Sequence, residues 1–529
     1  MTNLKLLVVS AALGAAVAGH AATPAPIDVG DRRQLFIDNL FVEDARGVTL
    51  ETHQPRKTGE QTIGTDRPWE QGGIGPYSSV LWDQGRYHLW YHAMDQKLWH
   101  TSPVAGSICY ATSEDGITWR KPDLGLVEYK GSRQNNIAVG HGAAGLTLGQ
   151  DGMMVFVDPN APPGERLRMV NRFSKEGKGK SEGVNIMSSG DGIHWKLTHE
   201  QVMTYRPEVK GHHLDSQNVI FWDESVNKYV AFVRRNLKDA ENQGRAIARG
   251  ESQRLGGFAP TQDLPVVFTP DGPDPVHAGA SVVDYYNSGA LRYPWADRAY
   301  LLFPQAYYHY TRNLREYAKD APTNAGAMDT QFAASRDGLK WERYDRRPFV
   351  RTGMKDEFDC HSARLIYGMV PDRSGRELYM YYRASDWLHG WDRDERNRAL
   401  LTKTGVGADR DIAVLSRVVL RRDGFVSVTA GHEGGEFTTP PLKYNGRRLR
   451  LNVDTSATGI VRVACLDADG KPLAGYALED CDIIHTANDI NRMVTWRGSA
   501  DLPAAAGGVV RLRIMARATD LYAFQFTAE

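Results

Sequence analysis

The stretch "HLDSQNVIFWD" sets Asp215 among His213, Ser216, Gln217 and Asn218, directly before an apolar run. A carboxylate there, at the mouth of a buried strand and surrounded by hydrogen-bonding groups, suits acid–base or nucleophilic chemistry once a second carboxylate faces it. "KDEFDCHSAR" repeats the pattern with Asp359, and places His361 two residues on, on the same side of an extended segment. "TDRPWEQGGIGPY" adds Asp66 and Glu70 beside Trp69, the combination a sugar-stacking subsite would contain. Asp284 in "VVDYYN" and Asp151 in "GQDG" are weaker members of the set. Each of these acids also has a structural alternative, as a strand cap or a turn residue. His212 and His213 could orient Asp215, but no H-E-x-x-H or spaced Cys/His cluster accompanies them, so neither a metal nor a cofactor is expected.

These residues need elements that bring them together, and a repeat supplies the elements. "SEDGITW" at Ser113–Trp119 returns as "SGDGIHW" at Ser189–Trp195 and "SRDGLKW" at Ser335–Trp341. Asp115 and Asp191 are 76 residues apart and Asp191 and Asp337 are 146 apart, so one copy is missing; "GESQRLGGF" at Gly250–Phe258 is its eroded remnant. A period of about 75 residues fits one blade of a β-propeller. Asp-Gly supplies the tight turn, and the Trp that follows can cover the seam between blades. Five blades follow, with inner strands at "SSVLWD", "MMVFVD", "QNVIFWD", "ALRYP" and "ARLIYGMV"; "ALLTKTGV" is taken as the third strand of the fifth. Runs such as "RYHLWYHA" and "ELYMYY" are aromatic, short and bounded by turn residues, as strands are. Segments that open the inner strands converge on the central axis. The aspartates of the repeated turn sit far from it and should shape blades without catalysing.

Beyond about residue 415 the blade motif stops, and closely spaced strands such as "RRLRLNVD", "GIVRVACLD" and "VVRLRIMA" indicate a β-sandwich. The predicted fold is therefore all-β, with a signal peptide over 1–22, a five-bladed propeller over 23–414 and a sandwich over 415–529. "RQLFIDNLFVED" reads as the strand that fastens the propeller to its N-terminal segment. The start of the chain has Lys5, an apolar run from Leu6 to Ala18 and small residues around Ala21, the pattern of a secretory leader, so a periplasmic or extracellular protein is expected. Lys plus Arg and Asp plus Glu are both 64, which argues against a nucleic-acid or membrane partner. The four cysteines are too scattered for a disulfide scaffold, although Cys465 and Cys481 could pair.

The repeated S-x-D-G-[IL]-x-W, the flanking "ICYATSEDGITWRKP" and the entry "FVSVTAGHEGGEFTTPPL" into the sandwich resemble the five-bladed propeller glycoside hydrolases, the group of glycoside hydrolase families 32, 43, 68, 117 and 130. The likeness is nearest to secreted bacterial family 32-like proteins and covers most of the chain. It implies hydrolysis of a polysaccharide or oligosaccharide, with furanosides among the substrates. The family 32 motif W-[MLI]-N-D-P-N-[GA] is absent, so fructan chemistry is not carried over.

The expectation is an exo-acting glycosidase with Asp215, Asp359, Asp66 and Glu70 as catalytic candidates. Trp69, His213, Gln217, Asp284, His361, Arg383, Trp387 and His389 are the substrate-binding candidates, the loop "RASDWLHGWDRDE" forming a subsite wall. Two other classes stay open: a polysaccharide lyase using His or Tyr as base on a uronic acid, and a carbohydrate-binding propeller without catalysis.

Overall fold

The computed structural model describes residues 25–95, 106–140, 146–147, 152–172, 174–175, 183–206, 214–238, 243–272, 274, 280–310, 326–386, 388–389, 413–503 and 508–529. The five blades and the sandwich are both present. Blade one is the ladder Ser79–Asp83, Arg86–Met94, Gly106–Ser113 and Ile137–Val139. Blade two is Met154–Val157, Leu167–Asn171, Gly183–Ser189 and Lys196–Thr204. Blade three is Val219–Asp223, Lys228–Lys238, Gln243–Ser252 and Val266–Phe268. In blade four the inner strand is split into Ala280–Tyr285 and Leu291–Arg292, because its partners break at Pro304 and again before Ala333.

Blade five differs from the sequence expectation. Ser362–Leu365 and Glu377–Ser385 are its first two strands, but Ala413–Arg421 is the third and Arg56–Ile63, from near the start of the chain, is the outermost. "ALLTKTGV" lies outside the described residues, and the boundary at 414/415 would cut through a blade strand. The reason is pairing across more than 350 positions, which no local pattern announces.

A similar long-range exchange builds the sandwich. Ile27–Gly30 and Glu43–Arg46 join one sheet, pairing with Leu442–Tyr444 and Gly435–Thr438; Gln34–Leu35 and Val48–Thr52 join the other, pairing with Thr519–Thr527 and Val426–Ala430. Residues 27–52 thus belong to the sandwich and not to the propeller. "RQLFIDNLF" bridges the two bodies by alternation: Leu35 and Ile37 enter the propeller core, while Phe36 enters the sandwich core with Phe41, Phe524 and Phe526. The strand Val509–Arg517 alternates buried and half-exposed residues, as a sandwich strand should. All four cysteines are free, so Cys465 and Cys481 do not pair.

The repeated turn holds neighbouring blades together. In each copy the Ser hydroxyl accepts from the Gly N–H, at 2.9 Å for Ser113–Gly116, 2.9 Å for Ser189–Gly192 and 2.8 Å for Ser335–Gly338, while the Asp accepts from the next two N–H groups. The turn then rests on an aromatic of the second strand of the preceding blade: Gly116 on Tyr381, Gly192 on Trp90, Gly338 on Phe232. The Trp of each motif meets the same aromatic edge-on, at 5.6, 6.1 and 6.0 Å between centroids.

At the axis, Gln217 ties the blades together. Its amide donates to Ser78 O of blade one (3.1 Å) and Met153 O of blade two (2.8 Å), and its N–H donates to the Asn287 side chain of blade four (3.1 Å). Asn287 donates to Gln305 (3.0 Å), which donates to Leu365 O of blade five (2.9 Å). This buried chain of amides touches every blade and forms the floor of the channel.

Candidate active site

Above that floor, the seam between blades three and four gathers the titratable groups. Antiparallel pairing of Lys228–Lys238 with Gln243–Ser252 places Arg234 and Arg245 on one face of blade three, with Asn236 opposite Arg245. On blade four, Asp284 stands opposite Tyr307, and His309 lies two residues along on the same side. The two faces meet. Asp284 Oδ2 accepts from Arg245 Nη1 at 2.7 Å and is 2.9 Å from His309 Nε2. Its other oxygen is buried without a hydrogen-bond partner.

Asp215 heads the inner strand of blade three and is ion-paired with Arg234; its side chain is 22% exposed. Its carbonyl accepts from the Tyr77 hydroxyl at 3.0 Å, which fixes the backbone to blade one. Tyr286 lies under both guanidiniums, 5.3 Å from Arg234 and 4.9 Å from Arg245. Burial alone would lower the Arg245 guanidinium, but Asp284, Tyr286 and Asp215 together hold it above its usual range.

Blade five contributes the remaining wall. Arg364 and Arg383 occupy directly opposed positions on adjacent strands, and both are buried. Arg383 Nε donates to Ile74 O at 3.2 Å. His389 is held by two backbone bonds to Gly326 and meets Tyr286 and Tyr307 edge-on, at 5.0 and 4.8 Å. Burial, then the charges of Arg364, Arg383, Arg245 and His309, push the His389 imidazole well below its ordinary value. His361 opens the blade-five inner strand with Nδ1 2.6 Å from Asp386 O, and burial lowers it too. Among the described residues, no three His, Cys, Asp or Glu side chains stand together as a metal-ligand set.

The structure therefore brings together Asp215, Asp284, Arg383 and His389 from the candidates, with His361 at the edge. It places the others elsewhere. Asp359 is buried in blade five, accepting from Lys57 of the outermost strand (2.6 Å) and from the Tyr382 hydroxyl (2.8 Å); it pins the N-terminal strand to the blade and is not available for catalysis. Glu70 is sealed beneath blade one, accepting from Tyr91 (2.6 Å), Lys121 (2.8 Å) and the Arg67 N–H (3.1 Å); burial raises its carboxyl, against the pull of Lys121. Asp66 pairs with the same Lys121 at the surface. Trp69 is buried and donates to Asn136 at 3.0 Å, so it packs a blade and stacks on no ligand. Gln217 closes the floor of the channel. His213, Trp387 and Asp151 lie outside the described residues.

Arg245, Tyr286 and Tyr77 were not singled out from sequence. Arg245 becomes visible only once the hairpin register is known, which sets it on the Arg234 face.

No family model matches the chain, and no curated protein matches it. Solved structures are similar to it at low identity. A β-1,2-mannobiose phosphorylase from Listeria innocua is 13% identical, with 70% of this chain and 97% of that one covered and a TM-score of 0.42. An N-acetylgalactosamine deacetylase from F. plautii is 12% identical, covering 72% and 97%, with a TM-score of 0.42. A glycosyl hydrolase from Bacteroides ovatus is 13% identical, covering 74% and 94%, with a TM-score of 0.39.

Proposed function

We propose that the chain is an exported glycoside hydrolase that removes terminal sugars from a polysaccharide, with Asp215 and Asp284 as its carboxylate pair. The observation that carries this reading is that the two acids come from adjacent blades into one mouth and share the field of Arg245. Hydrolysis of a glycosidic bond needs one carboxyl to protonate the leaving oxygen and another to activate water or attack the anomeric carbon. Asp284 suits the second role: Arg245 and His309 hold one of its oxygens and fix the carboxylate between the two blades. Asp215, partly open to solvent, is the second carboxyl of the mouth.

Sugar release from a panel of plant, algal and microbial polysaccharides, with aryl pyranosides and furanosides, tests the reading. Asp215→Asn and Asp284→Asn should each lower kcat by about 10²–10⁴-fold with folding intact. Asp359→Asn should leave kcat within a few-fold and lower Tm instead. Undiminished release by both mouth variants would remove them from catalysis.

One observation favours a second chemistry at the same mouth. His309 bonded to Asp284, among arginines, resembles the base and charge neutralisation that β-elimination from a uronic acid requires. Hydrolysis in H₂¹⁸O places the label in the released sugar; elimination yields an unsaturated uronide without it.

A further inference from the structure

We infer that the mouth recognises a negatively charged substituent on its sugar, a carboxylate or a sulfate ester, and that Arg364 is the residue that receives it. The inference rests on the carbohydrate reading but not on which bond is broken.

Three observations carry it. Arg364 is 3% exposed, and its Nε and Nη1 are buried without a hydrogen-bond partner. Its electrostatic surroundings are the hydroxyl-bearing rings of Tyr77, Tyr286 and Tyr307. Finally, Arg383 stands directly across from it in the ladder, so the residue facing it on the next strand offers no carboxylate. The two acids of the mouth are engaged elsewhere: Asp215 by Arg234, and Asp284 by Arg245 and His309. A guanidinium buried with no counter-charge is unfavourable in a protein interior unless a ligand supplies that charge. A planar carboxylate or a sulfate oxygen pair matches the donor fork of an arginine, and a neutral hydroxyl does not.

Calorimetric titration tests this without turnover, so an inactive preparation would strike the catalytic reading alone. The probes are galacturonate and glucuronate in one arm, galactose 6-sulfate in the other, and galactose and glucose as neutral controls. Wild-type protein should bind the anionic sugar of one arm at least tenfold more tightly than the matching neutral sugar, and the arm that binds identifies the substituent. Arg364→Met should abolish that difference, whereas Arg364→Lys should retain part of it. In the absence of ligand, Arg364→Met should melt no lower than wild type, since it removes an unpaired buried charge. Equal binding of neutral and anionic sugars, wild-type affinity for the anion in Arg364→Met, or no binding of any anionic probe to the wild type would each overturn the inference. If Arg364→Met does not fold, the wild-type and Arg364→Lys titrations decide it alone.

Discussion

Asp329 in blade four has its carboxyl sealed from water, and burial raises it to about 7 against the pull of Gln331 and Tyr308. The unfolded chain releases that proton near 3.8, so the folded state binds more protons between the two values. The stability associated with the neutral acid is complete below about pH 4 and is lost as pH rises through about 7, a change on the order of 4 kcal/mol. Asp329→Asn should therefore match wild type in urea unfolding at pH 4 and exceed it by several kcal/mol at pH 8; equal midpoints at both pH values would contradict this. His92 acts in the opposite sense: burial lowers it to about 4, and its stability contribution is lost as pH falls from about 6.5. At this scale the sequence was a mixed guide. The place of Asp215 at the entry of a buried strand was legible from the apolar run that follows it, and so was that of Gln217, whose amide bonds at the axis. Asp359 matched the same local pattern, but its partner Lys57 lies 302 positions away. Nothing near Asp359 in the chain announces that partner.

The repeated turn shows how far local pattern reaches. Asp-Gly, Ser and Trp disclosed the blades because those residues both bend the chain and grip the neighbouring blade. Only three copies survive among five blades, for two physical reasons. Blade five takes its outer strand from Arg56–Ile63, so it has no turn from third strand to fourth. Blade three would rest on the second strand of blade two, Leu167–Asn171, which has no aromatic residue for a turn to grip. The grip can be measured at Gly192, whose φ is +78° and whose added Cβ would lie 2.6 Å from Trp90. Gly85 has the same φ of +78° with nothing within 4 Å. Gly85→Ala should cost about 1 kcal/mol, the strain alone, and Gly192→Ala at least about 2 kcal/mol. Chemical denaturation of the two variants separates backbone strain from interblade packing; equal losses would mean that the turn glycine carries no packing role.

Across the whole molecule, Asp423 joins three parts of the chain. It accepts from Arg33 in the N-terminal segment (2.5 Å), from Tyr293 of blade four (2.7 Å) and from Asn452 of the sandwich (3.0 Å), and it is buried. Removing it leaves Arg33 buried without its carboxylate, which costs about 3–5 kcal/mol. Asp423→Ala should split a single calorimetric transition into separate propeller and sandwich transitions; one unshifted transition would show that the bodies are coupled by other contacts. The same wiring explains why the domain boundary was not legible: the sandwich contains residues 27–52, and blade five contains residues 56–63. It also bears on how the protein is made. Val48–Thr52 leaves the ribosome among the first strands, while its partner Val426–Ala430 follows most of the chain later, and Arg56–Ile63 must wait for Ala413–Arg421. Domains that fold in order of synthesis need neighbours close in sequence. Here neither body can close until nearly all of the polypeptide has emerged, so a late truncation removes partners from both bodies at once.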